Sequence, residues 1–314
     1  MNKILKKIST LDMPHEEWLR HRQHSIGGSD AAAIVGLSAY VSPYTVWADK
    51  LGKIPPSEDN EPMRQGRDLE QYVAQRFTEA TGKKVRRENN ILINPDFPFA
   101  HANVDRMVVG ENAGLECKTT NQLNLKKFKN GEFPDHYYVQ CMHYMMVTGC
   151  SKWYLAVLVL GREFLWFEIE RDDEEIAALA ESEQEFWKCV EAGTPPVADG
   201  SKSTTETIKK LFTDSSDSSV DLFGFDDLLT QREDLNKRIK ELTSLRDDIE
   251  NKVKSYMAEA GKGESDHFRI SWSTSERSSF DSKRFAADHP EMDLSNYFKT
   301  TKSRIFRVNK KGDK

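Results

Sequence analysis

The run KWYLAVLVLGREFLWFEIE, residues 152–170, constrains the fold of this chain more than any other stretch. Two segments rich in aromatic and β-branched residues meet at a glycine, which is a strand, turn, strand signal. Directly before it, DHYYVQCMHYMMVTG reads as an apolar helix closed by Gly149. An apolar strand pair beside an apolar helix needs cover on both faces, and so the chain must wrap further elements around them. The sequence offers them. MPHEEWLRHRQ from Met13, PYTVWADKLG and MRQGRDLEQYVAQRFTEATG read as helices, the last ending at Gly82. SIGGSDAAAIVG reads as a two-glycine turn, then a short helix with Ser29 as N-cap and Gly36 at its end. NNILINPDFPFAHANVDRMVVG and GLECKTT read as β segments, the last two joined through GENAG as a hairpin. Helices, sheet, helix, more sheet describes an α/β core.

At 314 residues the chain exceeds what one core usually holds, roughly 250–300 residues. Two units are expected. The acidic helix DDEEIAALAESEQEFWKCVEAG closes the first, giving a domain over residues 1–198. Residues 199–224 are rich in Ser, Thr and Asp and read as a linker. In 225–314, Leu228, Leu235, Leu242, Ile249 and Tyr256 recur every seventh residue, with Ile239 and Val253 on the intervening seam and Arg232 and Arg246 interrupting it. A long, coiled-coil-like helix is expected, followed by a small α+β region in which HFRISWSTSERSSFD forms strands and SKRFAADHP a short helix.

Composition excludes several classes. Net charge is −6, so the chain is no polycation that grips nucleic acid by its overall field. Any such contact is local, with KKVRR (Lys83 to Arg87), KKFK (Lys126 to Lys129) and the tail from Lys302 as candidates. Cys117, Cys141, Cys150 and Cys189 form no C-x-x-C pair, which argues against zinc ribbons, iron–sulfur clusters and disulfide scaffolds. The N-terminus MNKILKKISTLDMP lacks the apolar stretch of a secretion signal, and no apolar run approaches the roughly 18 residues of a membrane span. A cytoplasmic protein without membrane partners is expected.

The chemistry concentrates in HANVDRMVVGENAGLECKTTN, residues 101–121. On a strand, Glu116 and Lys118 share one face and Leu115 and Cys117 the other. If the hairpin closes, Asp105 joins Glu116, and two carboxylates can grip one hard cation such as Mg²⁺ beside Lys118. A metal-bound water would then be a nucleophile for a phosphodiester. A plain salt bridge between Lys118 and an acid fits the spacing equally well. Gln140 and Tyr144 lie four apart on the following helix, where an interior amide and a core tyrosine are the alternative. Arg22 and Ser29 flank the GG turn at a helix start, where free N–H groups favour phosphate, and simple N-capping by Ser29 is the alternative there.

WLRHRQHSIGGSDAAAIVG, GRDLEQYVAQRFTEATG, HANVDRMVV, GLECKTT and YYVQCMHYMMVTGCSKWYLAVL resemble, in order, the segments of the YqaJ-type viral recombinases. These are relatives of phage lambda exonuclease within the PD-(D/E)xK nuclease superfamily, and the resemblance covers about residues 14–195. It implies a restriction-endonuclease-like core, a mixed central sheet flanked by helices. It also implies a Mg²⁺-dependent 5′-to-3′ exonuclease, with Mn²⁺ as a substitute metal, that acts on double-stranded DNA ends in the bacterial host. The product, a 3′ overhang, would pass to a single-strand annealing protein for phage-type recombination. Carried across, Asp105 and Glu116 bind metal, the Cys117 carbonyl adds a ligand, and Lys118 is the catalytic lysine. Glu70 is the helical acid that can reach a second metal. Arg22 and Ser29 form the 5′-phosphate pocket, and Gln140 with Tyr144 matches the Q-x-x-x-Y motif beside the scissile bond. The family precedent includes a trimeric ring, but the part after about residue 200 has no counterpart in the short lambda enzyme. The alternatives are a nicking or structure-selective endonuclease with the same site, and a non-catalytic DNA-end binder that recruits a partner.

Overall fold

The computed structural model describes residues 5–56 and 58–309. The start of the N-terminal stretch and the last residues of the basic tail lie outside the described residues. The chain divides into two compact units, the first closing at Phe212 and the second opening at Thr213.

The first unit runs β1 (Lys6–Ser9), α1 (His15–Gln23), α2 (Gly28–Ile34), α3 (Pro43–Lys50), α4 (Glu61–Thr81), β2 (Val85–Arg87), β3 (Asn90–Ile93), β4 (Arg106–Val108) and β5 (Ala113–Thr120). After a 3₁₀ turn, Gln122–Phe128, come α5 (Asp135–Thr148), β6 (Lys152–Val159), β7 (Glu163–Glu170), α6 (Asp173–Glu191) and α7 (Lys202–Leu211). The central sheet has the order β2-β4-β5-β6-β7. β4 and β5 pair antiparallel, with Arg106 opposite Leu115, which is the expected hairpin. β5 and β6 pair parallel, Glu116 opposite Leu155, and α5 forms the crossover that a parallel pair requires. β6 and β7 close the sheet as the hairpin seen in the sequence. This is the expected mixed sheet flanked by helices.

Alternation along β5 sorts the two faces. Ala113 and Leu115 are buried against Val73, Ala74 and Phe77 of α4, with Cys117 packed at the margin. Gly114, Glu116 and Lys118 turn the other way, toward α5. On that face a larger core joins α2, α3, α5 and α6 to Trp153, Leu155, Val157 and Val159 of β6. Gly114 is needed there, because an added Cβ would stand 2.2 Å from the Trp153 ring. Burial of side chains such as Phe77 and Leu155 contributes about 1.5–3 kcal/mol each.

One sequence expectation is corrected, and two segments gain a definite place. Residues 199–224 are not linker throughout, since α7 folds onto α3 through mutually satisfied hydroxyls. Thr45 Oγ1 meets Ser203 Oγ at 2.8 Å and Thr207 Oγ1 at 2.7 Å, and Thr204 Oγ1 donates to Ser42 Oγ at 2.8 Å. The Ser/Thr composition that suggested a loop is thus an interface. KKVRR runs into the edge strand β2; Lys83, just before the strand, pairs with Glu111 and Arg86 with Glu88, while Lys84 and Arg87 stay exposed, as on a solvated face. Finally, β1 was not foreseen; it pairs antiparallel with β3 in a separate two-stranded sheet.

In the second unit α8 (Asp226–Met257) is the expected long helix. β8 (Lys262–Glu264) and β9 (Arg269–Ser271) form a small hairpin, so only a short part of HFRISWSTSERSSFD is strand. α9 (Ser282–Asp288) is the expected short helix. Among the described residues no helix is long and apolar enough to cross a membrane.

Candidate active site

Asp105 stands just before β4, and its Oδ2 accepts the Cys117 N–H at 2.8 Å. That bond fastens the open end of the hairpin beyond its paired residues. In an extended strand the N–H and C=O of one residue point to the same edge, so the Cys117 carbonyl also faces the Asp105 side. Glu116, 3% exposed, accepts from Gln140 Nε2 at 2.9 Å and from Lys118 Nζ at 2.5 Å, both on Oε1. Its Oε2 is buried without a partner. Gln140 Nε2 also donates to the Tyr144 hydroxyl at 2.8 Å.

The electrostatics are those of crowded acids around one cation. Burial, then the charges of Glu116 and Glu70, push the Asp105 carboxyl well above its usual range. Burial opposes the Lys118 charge, but Glu116 and Asp105 outweigh it and hold the ammonium above the ordinary lysine value. The Lys118–Glu116 salt bridge, one of the two readings of the spacing, is therefore present, and it coexists with a half-buried second carboxylate, Asp105.

Glu70 comes from α4 and is less free than expected. Its carboxylate is taken by the Arg106 guanidinium, which also donates to the Asp105 carbonyl at 2.6 Å and to Gln71 at 3.0 Å. Among the described residues no three His, Cys, Asp or Glu side chains are gathered as a ready metal cage. The donor set still suits a hard cation. The partnerless Glu116 oxygen, the repelled Asp105 carboxyl and the Cys117 carbonyl are all oxygens, and Mg²⁺ needs only one or two carboxylates because it keeps several waters.

Arg22 and Ser29 do come together, Nη2 donating to Oγ at 2.9 Å, with Arg22 lying over the Trp18 ring at 4.8 Å. Ser29 is not the N-cap of α2. Gly27 is, in extended conformation, and the Asp30 carboxylate reaches back to its N–H at 3.0 Å, which leaves the exposed Ser29 hydroxyl to Arg22. Gly28 ties this turn to the rest of the site: an added Cβ would stand 2.6 Å from Tyr144 Cε1 and 3.2 Å from Gln140 Cγ. The GG turn thus lies directly on the Q-x-x-x-Y face of α5, and all nine expected residues fall on two adjoining clusters.

The pattern that defines the YqaJ-like viral recombinase domain matches residues 17–151. The uncharacterized protein YqaJ of Bacillus subtilis (strain 168) is 39% identical over 310 residues, 97% of this chain and 95% of that protein. The chain belongs to the YqaJ-like viral recombinase family. Among solved structures, an alkaline exonuclease (LHK-Exo) from Laribacter hongkongensis aligns at 22% identity and TM-score 0.49, covering 57% of this chain and 93% of its own. A phage-related exonuclease from Haemophilus somnus 129PT aligns at 13% identity and TM-score 0.41, covering 56% of this chain and 99% of its own.

Several residues that hold this recombinase-family site escaped sequence reasoning. Lys50, fully buried, donates to Asp30 at 2.6 Å and to the Arg22 carbonyl at 2.6 Å. Burial would raise the Asp30 carboxyl, but the charges of Lys50 and Arg22 bring it down to about 2. His101 bonds Ser25 through Nδ1 at 2.8 Å, and its carbonyl meets His143 Nε2 at 2.9 Å. His143 in turn meets the buried Glu183 at 2.7 Å. These contacts join residues 20 or more apart, and no local pattern announces them. The one available signal was composition: polar residues on helices otherwise apolar.

Proposed function

We propose that the chain is a Mg²⁺-dependent deoxyribonuclease that degrades double-stranded DNA from a 5′ end, leaving a 3′ overhang for a single-strand annealing protein. The observation that carries this reading is the pairing of a buried, partnerless Glu116 oxygen with the neighbouring Asp105 carboxyl, beside a cationic Lys118. Family membership supports it.

Asp105, Glu116 and the Cys117 carbonyl would hold Mg²⁺, or Mn²⁺ in its place, and Glu70 would join if released by Arg106. A metal held there would supply a water of lowered pKa and charge neutralisation for the phosphodiester. Lys118 is placed to orient the attacking water or a phosphate oxygen by hydrogen bonding, and its acidic neighbours keep it charged. Gln140 fixes the Glu116 carboxylate through one N–H and the Tyr144 hydroxyl through the same amide, so that the acid keeps one rotamer. Arg22 and Ser29 together offer a guanidinium and a hydroxyl to a terminal 5′-phosphate. A trimeric ring around DNA, by family precedent, would make such degradation processive.

The test is digestion of linear duplex labelled at one end or the other, with 5′-phosphate or 5′-hydroxyl termini. The reading expects Mg²⁺-dependent loss of the 5′ label first, a strong preference for phosphorylated ends, and loss of that preference in Arg22→Ala. Cleavage within circular DNA at a comparable rate would instead point to an endonuclease, and binding without cleavage to an end-recruiting protein.

A further inference from the structure

Tyr40 lies on the loop between α2 and α3 and is 70% exposed. Its ring meets the edge of His136 at 6.3 Å and 87°. His136 packs on Tyr137 with ring centres 4.1 Å apart. Tyr137 in turn lies under the Lys118 ammonium, 5.4 Å from ring centre to Nζ. Three rings therefore form a continuous row from open solvent to the lysine of the candidate site. Burial first, then the charges of Lys118 and Lys127, hold His136 below the usual histidine value, so its ring stays neutral and Lys127 stands within reach of the same row. Among the described residues, Lys126, Lys127 and Lys129 are exposed and in no ion pair, and their charges are open to a phosphate backbone.

An exposed ring backed by two half-buried ones, with unpaired lysines on the segment before α5 and the candidate site at the inner end, has the chemistry of a single-strand binding groove. Every base has a π-face, so stacking holds a strand without reading its sequence, while the lysines follow the backbone. A duplex end cannot present a base to such a row until its terminal pairs have opened.

We infer that the exposed face of Tyr40, buttressed edge-on by His136, is a stacking platform for an unpaired nucleobase on the approach to the candidate site, a binding site separate from the metal ligands and from the Arg22–Ser29 pocket. The inference rests on the nuclease reading for the identity of the ligand. It adds a base-dependent, sequence-tolerant contact that engages after the end has frayed.

The test is equilibrium binding in EDTA, by fluorescence anisotropy, of two short 5′-phosphorylated single-stranded oligonucleotides. One carries its bases; the other lacks the bases nearest the 5′ end. Tyr40→Ala is expected to weaken the base-bearing oligonucleotide about tenfold and the abasic one by less than about twofold, while Tyr40→Phe stays near wild type. Tyr40 is exposed, so the variants should keep the wild-type thermal midpoint. An equal loss on both oligonucleotides, no loss on either, or failure of the wild-type chain to prefer the base-bearing one overturns the platform. The nuclease reading fails separately. A chain that binds bases through Tyr40 but cuts nothing with Mg²⁺ would sink that reading and keep the platform, whereas unchanged Tyr40→Ala binding in an active nuclease would do the reverse.

Discussion

Two helices of this chain carry apolar side chains and meet opposite fates. α5 is buried along an unbroken run from Val139 to Val147, whereas α8, more than twice as long, buries only Met257. The central turns of α5 lie between the sheet, α2 and α6, so the polar groups of that buried run, Gln140, His143 and Tyr144, must each find a partner there. α8 is polar except for one stripe, and Leu228, Leu235, Leu242 and Ile249 remain 56–66% exposed. The difference separates a helix that fixes chemistry from one that displays a surface. Rigid burial is what the candidate site needs, because Glu116 takes its orientation from Gln140.

The sharpest way to break this contrast is to strip a buried partner from the first unit. Lys50→Ala leaves Asp30 charged and alone under Arg22, and should cost about 3–5 kcal/mol in urea unfolding. A loss below about 1 kcal/mol would mean that water reaches this pair.

Acid should erode the same unit. Burial, then Lys50, depress the His101 imidazole from 6.5 to about 3. The unfolded chain therefore takes up that proton first, and stability falls as pH drops from about 6.5 toward 3, by about 1.4 kcal/mol per pH unit. Asp30 adds to the loss below its ordinary 3.8, as pH falls through about 2. His143 acts in the opposite sense: burial lowers it, Glu183 more than compensates, and the stability it brings is present below 6.5 and lost as pH rises through its raised value. Urea midpoints across this range, with His101→Gln flattening the limb between 6.5 and 3, check the assignment.

Gly28→Ala tests the close approach of the GG turn to α5. Its Cβ would overlap the Tyr144 ring, and the expected cost is about 1–3 kcal/mol together with weaker end binding. An unchanged midpoint would show that Tyr144 yields freely.

The smallest effect belongs to α8. Leu242→Ser should change the urea unfolding of the chain by no more than about 0.5 kcal/mol, since the side chain is 66% exposed. A loss above about 2 kcal/mol would reveal that the stripe is covered in solution.

Much of this contrast was legible in the sequence. The apolar run before Gly149, the strand pair at 152–170 and the heptad of α8 each follow from local periodicity, which is where residue patterns speak most directly. The alternation in GLECKTT correctly put Glu116 and Lys118 on one face and Leu115 on the other. What stayed hidden depends on contact across the chain. Arg106 reads as one more charge until the fold brings Glu70 to it, and Lys50 reads as a helix-end cation until Asp30 closes on it. The Ser/Thr tract after residue 198 reads as a linker because hydroxyls look solvent-seeking in sequence, yet Ser42, Thr45, Ser203, Thr204 and Thr207 satisfy one another. Ser29 reads as a cap, yet Gly27 holds that position and the Asp30 carboxylate accepts its N–H.

The most direct measurement of the central claim is the rate at which linear duplex DNA is digested with and without Mg²⁺ by the wild-type chain and by Lys118→Ala. Digestion by the wild type should depend on the metal, and the variant should be slower by about a hundredfold or more with its fold retained. Digestion that is indifferent to Mg²⁺, or undiminished in Lys118→Ala, would contradict that claim.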